Sequence, residues 1–265
     1  GVKISRCNKL TNFLEFGEVL YSTCYAMFNN YKKPIHFIDT PNLSICKNMS
    51  NMFSYTSEFN TDINNWDVSN ITNMERMFYK ASKFNRSLSK WDVRNVTTMK
   101  SMFEWAREFN GNISNWKPIN VRIFSSMFNH AEKFNKQLNW DTRSAVDMGG
   151  MFASAWIFDS QCNFNTSNVT NMSNMFYAAR EFNKSLANFN TSNVTNMAGM
   201  FMYTKKFSIG CTKDWDTSNV TNMKNMIRSA MTQDFDLSGW NVKNVTIYDD
   251  FDTDTDGSHT LPNLK

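Results

Sequence analysis

Apolar positions along this chain recur on a long, fixed period. The stretch from Phe59 to Phe84, FNTDINNWDVSNITNMERMFYKASKF, returns almost letter for letter from Phe84 to Phe109 and then continues toward the C-terminus. A Met-Phe pair closes each copy at Phe28, Phe53, Phe78, Phe103, Phe128, Phe152, Phe176 and Phe201, with Ile227 in the next slot; the spacing runs 25, 25, 25, 25, 24, 24, 25 and 26 residues. A repeat of this length points to stacked supersecondary units, each covering its neighbour's apolar face. Within a copy, Trp66 and Val68 are apolar with Asp67 between them, which predicts a short strand. Met74, Met77, Phe78 and Ala81 follow at offsets 0, 3, 4 and 7, the stripe of a short helix with Thr72 or Asn73 as its N-cap. One strand per copy, always in the same sense, predicts a parallel sheet with rungs ~4.8 Å apart. The expected fold is therefore an α/β repeat: a leucine-rich-repeat-like solenoid with one short parallel strand and one short helix per turn.

The copies are not uniform. Residues 1–41 carry a degraded pattern, without Trp-Asp-Val and with Pro34 and Pro41, and are expected to form a cap and a first divergent turn. Residues 42–247 form the expected repeat domain. Residues 248–265 replace the Met-Phe signature with Tyr248-Asp249-Asp250-Phe251 and continue as a cap or linker. An Asn recurs at Asn70, Asn95, Asn120, Asn168, Asn193, Asn219 and Asn244. An amide both donates and accepts, so this column is expected to be a buried ladder satisfying successive turns.

The repeated runs NVTNM-x-x-MF and FNTSNVTNM resemble the leucine-rich-repeat relatives of BspA-type surface proteins, and more closely the repeats of mycoplasma-type surface lipoproteins. The resemblance spans roughly residues 42–247. It implies a leucine-rich-repeat-like fold on a bacterial surface protein with an adhesive or partner-binding role, and it brings no catalytic residues with it.

Composition narrows the chemistry. A net charge of +4 is too small and too scattered for a nucleic-acid footprint. No apolar run approaches the ~20 residues of a membrane helix. The cysteines are five, an odd number. Cys24, Cys46, Cys162 and Cys211 each fall in an apolar slot of the repeat, with Cys162 and Cys211 in the Ile63 slot, as buried inert thiols would. No phosphate loop, nucleophile elbow or zinc spacing is present, so no enzymatic activity is expected. Asp252, Asp254 and Asp256 match the opening of a calcium loop, but position twelve is Asn263 where the motif has Glu. A linker is the simpler reading, calcium a weak alternative, and no other cofactor is expected.

Outward positions of the predicted strands supply the candidate binding face: Asp67, Asp92, Lys117, Asp141, Asn165, Asn190, Asp216 and Asn241 in one column, with Arg94 and Arg143 beside it. Such a face serves either as a solvated polar surface or as a binding surface. The expected function is a non-enzymatic surface-exposed binding or adhesion module, recognising a host or cell-surface protein or glycan through the sheet face. A rigid spacer carrying other domains is the alternative. The expected location is a bacterial cell surface or the secreted space, within a larger anchored protein.

Overall fold

The computed structural model describes residues 13–230, 235–255 and 259–264. It overturns the expected α/β solenoid. Among these residues there is no α-helix, and the regular elements are four two-residue strands and one 3-10 turn, Ile209–Thr212. Strands β1 (Phe13–Leu14) and β2 (His36–Phe37) pair in parallel, as do β3 (Phe235–Asp236) and β4 (His259–Thr260). Between them the copies are joined by isolated parallel bridges, running from Asn48 to Asn73, Thr98, Ile123, Asp147, Asn171, Asn196, Asn222 and Ile247. Each copy is a coil of turns laid on the previous one.

The backbone hydrogen bonds explain why no helix forms. Ten successive amides, Thr72 to Ala81, all find acceptors. Thr72 and Asn73 donate back to the Lys47 carbonyl, while Met74, Arg76, Phe78 and Lys80 donate forward to Thr98, Lys100, Met102 and Glu104 at 2.8–3.2 Å. Glu75 donates to the Asn73 side chain at 2.9 Å. Met77, Tyr79 and Ala81 close three-residue-back bonds to Met74, Arg76 and Phe78. Alternate amides therefore bond within the coil and between coils, and every buried backbone donor here is paired. An isolated helix of two turns would carry its full nucleation cost with few bonds to offset it.

The same accounting explains the misleading stripe. Met74–Met77 and Phe78–Ala81 are consecutive β-turns whose third residues, Arg76 and Lys80, have φ of 54° and 59°. Positive φ at that position is the mark of type II turns. First and last residues of each four-residue turn point inward, giving offsets 0, 3, 4 and 7, identical to the helical stripe. The pattern recurs at Ser101 and Trp105, Ser126 and His130, Gly150 and Ser154, and Gly199 and Tyr203.

Inward residues form continuous columns. Phe53, Phe78, Phe103 and Phe128 stack at centroid separations of 5.6, 5.4 and 5.7 Å. A second column, Phe59, Phe84, Phe109 and Phe134, lies alongside at 5.5, 5.9 and 5.9 Å. The two meet within each coil, as at Phe103–Phe109, 3.8 Å. Trp66 and Val68 are buried with Asp67 exposed, as the period of two requires, but no backbone ladder joins this segment to the next coil. Side chains bridge it instead. Trp91, Trp116, Trp140, Trp215 and Trp240 each donate the indole N–H to a carbonyl of the preceding coil at 2.8–3.1 Å. Where Phe189 replaces Trp, Asn188 Nδ2 supplies the bond to the Cys162 carbonyl at 3.2 Å. Buried Thr142, Thr166, Thr191 and Thr217 reach the next coil's carbonyl at 2.9–3.0 Å.

Cys24, Cys46 and Cys162 are buried as expected, but Cys211 is half-buried. The extra residue of the 26-residue copy lies between Phe207 and Trp215 and is taken up by the 3-10 turn, so the Thr212 carbonyl receives the Trp240 bond that the Ile63 slot normally receives. The Asn column is a ladder, donating to the preceding coil from Asn95 to Ser69 (2.7 Å) through Asn244 to Ser218 (2.7 Å), but it lies at the surface rather than in the core.

Three stability measurements follow. Trp91→Phe removes the inter-coil bond to the buried Ile63 carbonyl, which keeps the Trp66 amide at 3.1 Å, and should cost about 0.5–1.5 kcal/mol in chemical denaturation. Trp116→Phe should cost less, because Asn115 stands where Asn188 substitutes for an indole. Ser126→Gly, at φ 56°, should raise stability by roughly 1 kcal/mol, the direction already taken by Gly150 and Gly199 in that column.

Candidate functional site

The predicted binding column does not lie on strands. Asp67, Asp92, Asp141, Asn165, Asn190, Asp216 and Asn241 each open an Asx turn, in which the side-chain oxygen accepts the amide two residues on at 3.0–3.2 Å. That is why the column tolerates Asp and Asn but little else. Lys117 has no acceptor, and there Pro118 permits a tighter bond from the Ile119 amide to the Lys117 carbonyl at 2.9 Å. Arg94 and Arg143 fold back on Asp92 and Asp141 of their own coils. The column is exposed or half-buried, with its polar groups largely engaged in making the turns.

The carboxyls respond accordingly. Asp67 and Asp216 are held below their ordinary value of 3.8 chiefly by Ser69 and Ser218, and Asp92 and Asp141 chiefly by the Arg94 and Arg143 guanidiniums. The mutual repulsion of Asp67 and Asp92 is outweighed by these bonds. Among the described residues no group of three or more His, Cys, Asp or Glu could hold a metal. Asp252 and Asp254 lie in a surface turn, and Asp256, the third carboxylate of the calcium motif, falls outside the described residues. No helix among the described residues is long and apolar enough to cross a membrane.

A different edge gathers groups that the turns do not consume. It is built by the second positive-φ position of each coil and its neighbours. Tyr55, Trp156 and Tyr203 are 41%, 36% and 36% exposed, large values for aromatic side chains in a protein that buries most of its rings. Lys80 lies over Tyr55 and Tyr79 at 5.0 and 5.3 Å, Arg107 over Trp105 at 5.3 Å, and Arg180 over Trp156 at 5.0 Å. Trp105 stacks on His130 at 3.7 Å, and burial pushes the imidazole below its ordinary value of 6.5. Two open basins lie along this ledge. One, of about 380 Å³, is lined by Lys32, Tyr55, Lys80, Trp105 and Arg107 with Ser57 and Ser82. The other, of about 700 Å³, is lined by His130, Trp156, Tyr177, Arg180, Tyr203 and Lys205.

The signal for this ledge was present in the sequence, at positions 55, 80, 105, 130, 156, 180 and 203–205. Reading Met74 to Ala81 as a helix assigned these residues to a helical surface and hid their alignment. The 25-residue period brings position 80 of one coil beside position 55 of the last, and the turns leave both at the surface.

Residues 22–139 and 160–257 match the family described as "Mycoplasma protein of unknown function, DUF285". The chain belongs to this family. No curated protein and no solved structure matches it. The DUF285 match thus supports the mycoplasma-type repeat resemblance at family level, while the leucine-rich-repeat geometry is corrected by the coils themselves.

The depressed carboxyls set a pH dependence. A carboxyl lowered on folding contributes stability above its unfolded value, near 3.8, and that contribution is lost as pH falls through the folded value. The melting temperature should drop as pH is taken from 5 to about 2.5. Replacing Asp67 and Asp216 with Asn preserves the Asx acceptor and should flatten that drop; an unchanged slope would show that other groups carry it.

Proposed function

We propose that this DUF285 chain is a non-enzymatic binding module of a bacterial cell-surface protein, and that its working face is the aromatic and cationic ledge. The observation that carries the reading is the row of exposed and half-buried rings, Tyr55, Trp105 and Trp156, with cations poised over them, on a fold that buries most of its rings. Exposed aromatics beside basic groups are typical of contact surfaces, where they give large contact area at low entropic cost. The Asx column opposes this role, because its acceptors are committed to holding turns.

A second reading, a rigid spacer, draws support from the unbroken stacks of Phe rings and inter-coil bonds, which would resist bending.

Beads carrying the chain, counted on cultured epithelial cells, separate the two. The variant Tyr55→Ser/Trp156→Ser/Tyr203→Ser should lose at least tenfold in retention, and Asp67→Asn/Asp92→Asn/Asp141→Asn should not. Retention that survives the ledge variant would overturn the proposed face, and wild-type beads that are not retained would favour the spacer.

A further inference from the structure

We infer that the ledge binds an acidic glycan, a saccharide chain carrying carboxylate or sulfate groups; this rests on the reading of the ledge as the working face.

Much of the charge on the ledge lacks its complement, although Arg107 pairs with Glu132 at 3.3 Å. Some surface lysines elsewhere pair across coils, as in Lys83–Glu58 and Lys184–Asp159, at 2.6 and 2.8 Å. Lys206 pairs with Glu181 in the same manner. Among the described residues, Lys32, Lys80, Arg180 and Lys205 make no ion pair. Each lines one of the two basins. Lys32 is tied to the Tyr55 carbonyl at 3.0 Å, and Lys80 and Arg180 are held over aromatic rings, so their charges are placed before any ligand arrives. Cations that are fixed and unneutralised form an anion site whose binding falls with salt.

The polar groups around those cations favour a saccharide. The larger basin runs into a notch of about 470 Å³ that shares His130, Ser154 and Tyr177 with it. Ser126, Asn129, Ser173 and Asn174 line the notch, and its floor is lowered by Gly149 and Gly150. A Cβ on Gly149 would come within 2.7 Å of the Asn171 side-chain amide and push it aside. Hydroxyl and amide groups suit sugar hydroxyls, which both donate and accept. The smaller basin repeats the combination with Ser57 and Ser82 beside its cations.

Single-stranded nucleic acid offers the same anionic charge but fits less well. It needs aromatic faces free for bases to stack on. Here Lys80 occupies Tyr55 and Tyr79, Arg107 and His130 occupy Trp105, and Arg180 occupies Trp156. Tyr177 and Tyr203, which meet edge to face, are the basin rings without a cation over them.

Isothermal calorimetry tests the inference with three probes of equal length: a heparin-derived sulfated oligosaccharide, a neutral dextran oligosaccharide and oligothymidylate. The sulfated saccharide should bind, weakening with salt, and Lys80→Gln/Arg180→Gln should weaken it at least tenfold with the melting temperature unchanged. Gly149→Ala, if it folds, should weaken saccharide binding without changing the salt dependence. Tighter binding of oligothymidylate would replace the glycan with nucleic acid, equal binding of dextran would remove the charge from the recognition, and absence of sulfated-saccharide binding would overturn the inference. Beads that still reach cells through the ledge while no acidic saccharide binds would refute the ligand class and leave the binding-module reading standing. Beads that fail on cells while the sulfated saccharide binds would refute adhesion to those cells and leave the ligand class standing.

Discussion

The structure depends on one constraint: each coil must satisfy the backbone of the next in register. Met74, Arg76, Phe78 and Lys80 give their amides to the carbonyls of Thr98, Lys100, Met102 and Glu104, and the same bonds recur one copy later from Met99, Ser101, Phe103 and Trp105. Left-handed residues at two fixed positions make this possible, because they turn the chain without consuming those amides. Once the register holds, ring stacking follows, since Phe78 must fall on Phe103 and Phe84 on Phe109. Changes in copy length are confined to the segment between the second Phe and the Trp slot, where the register bonds are few. There a 24-residue copy shortens the loop and the 26-residue copy adds a 3-10 turn.

The two polar edges arise from the same register and differ in what it leaves over. On the Asx edge, one side-chain oxygen of each Asp or Asn is used by an amide two residues away, and the ladder amides from Asn95 to Asn244 by carbonyls one coil away. Little hydrogen-bonding capacity is left for a ligand. On the ledge the backbone satisfies itself, so the side chains at Tyr55, Lys80, Trp105 and Arg180 are free of structural duty. Periodicity then sets them in a row. A stack of identical coils is thus suited to an extended ligand, provided that the row varies enough to be specific.

The period, the inward positions and the columns were legible in the sequence because burial leaves a residue-by-residue imprint. Trp66, Val68, Met74, Met77, Phe78 and Ala81 are all buried as the pattern implied. Secondary structure was not legible from the same imprint. Two type II turns in tandem bury the positions that two turns of helix bury, and the positive-φ sites hold residues such as Arg76, Lys80, Ser101 and Trp105 far more often than Gly. The usual glycine signal for a left-handed residue is therefore absent. The candidate site suffered from the same ambiguity: an exposed Asp between two buried residues looks like an outward strand position whether its carboxylate faces solvent or closes its own turn. The Asn column was correctly read as a ladder but placed in the core, because a hydrogen-bonded amide need not be a buried one.

Backbone-amide hydrogen exchange, measured with and without a saturating heparin-derived oligosaccharide, separates the two edges most directly. Added protection along residues 54–57, 79–82, 104–107, 153–156, 177–180 and 202–205, with none at Asp67–Asn70 or Asp92–Asn95, is the predicted result. Protection confined to the Asx turns, with the ledge unchanged, would contradict the assignment of the working face.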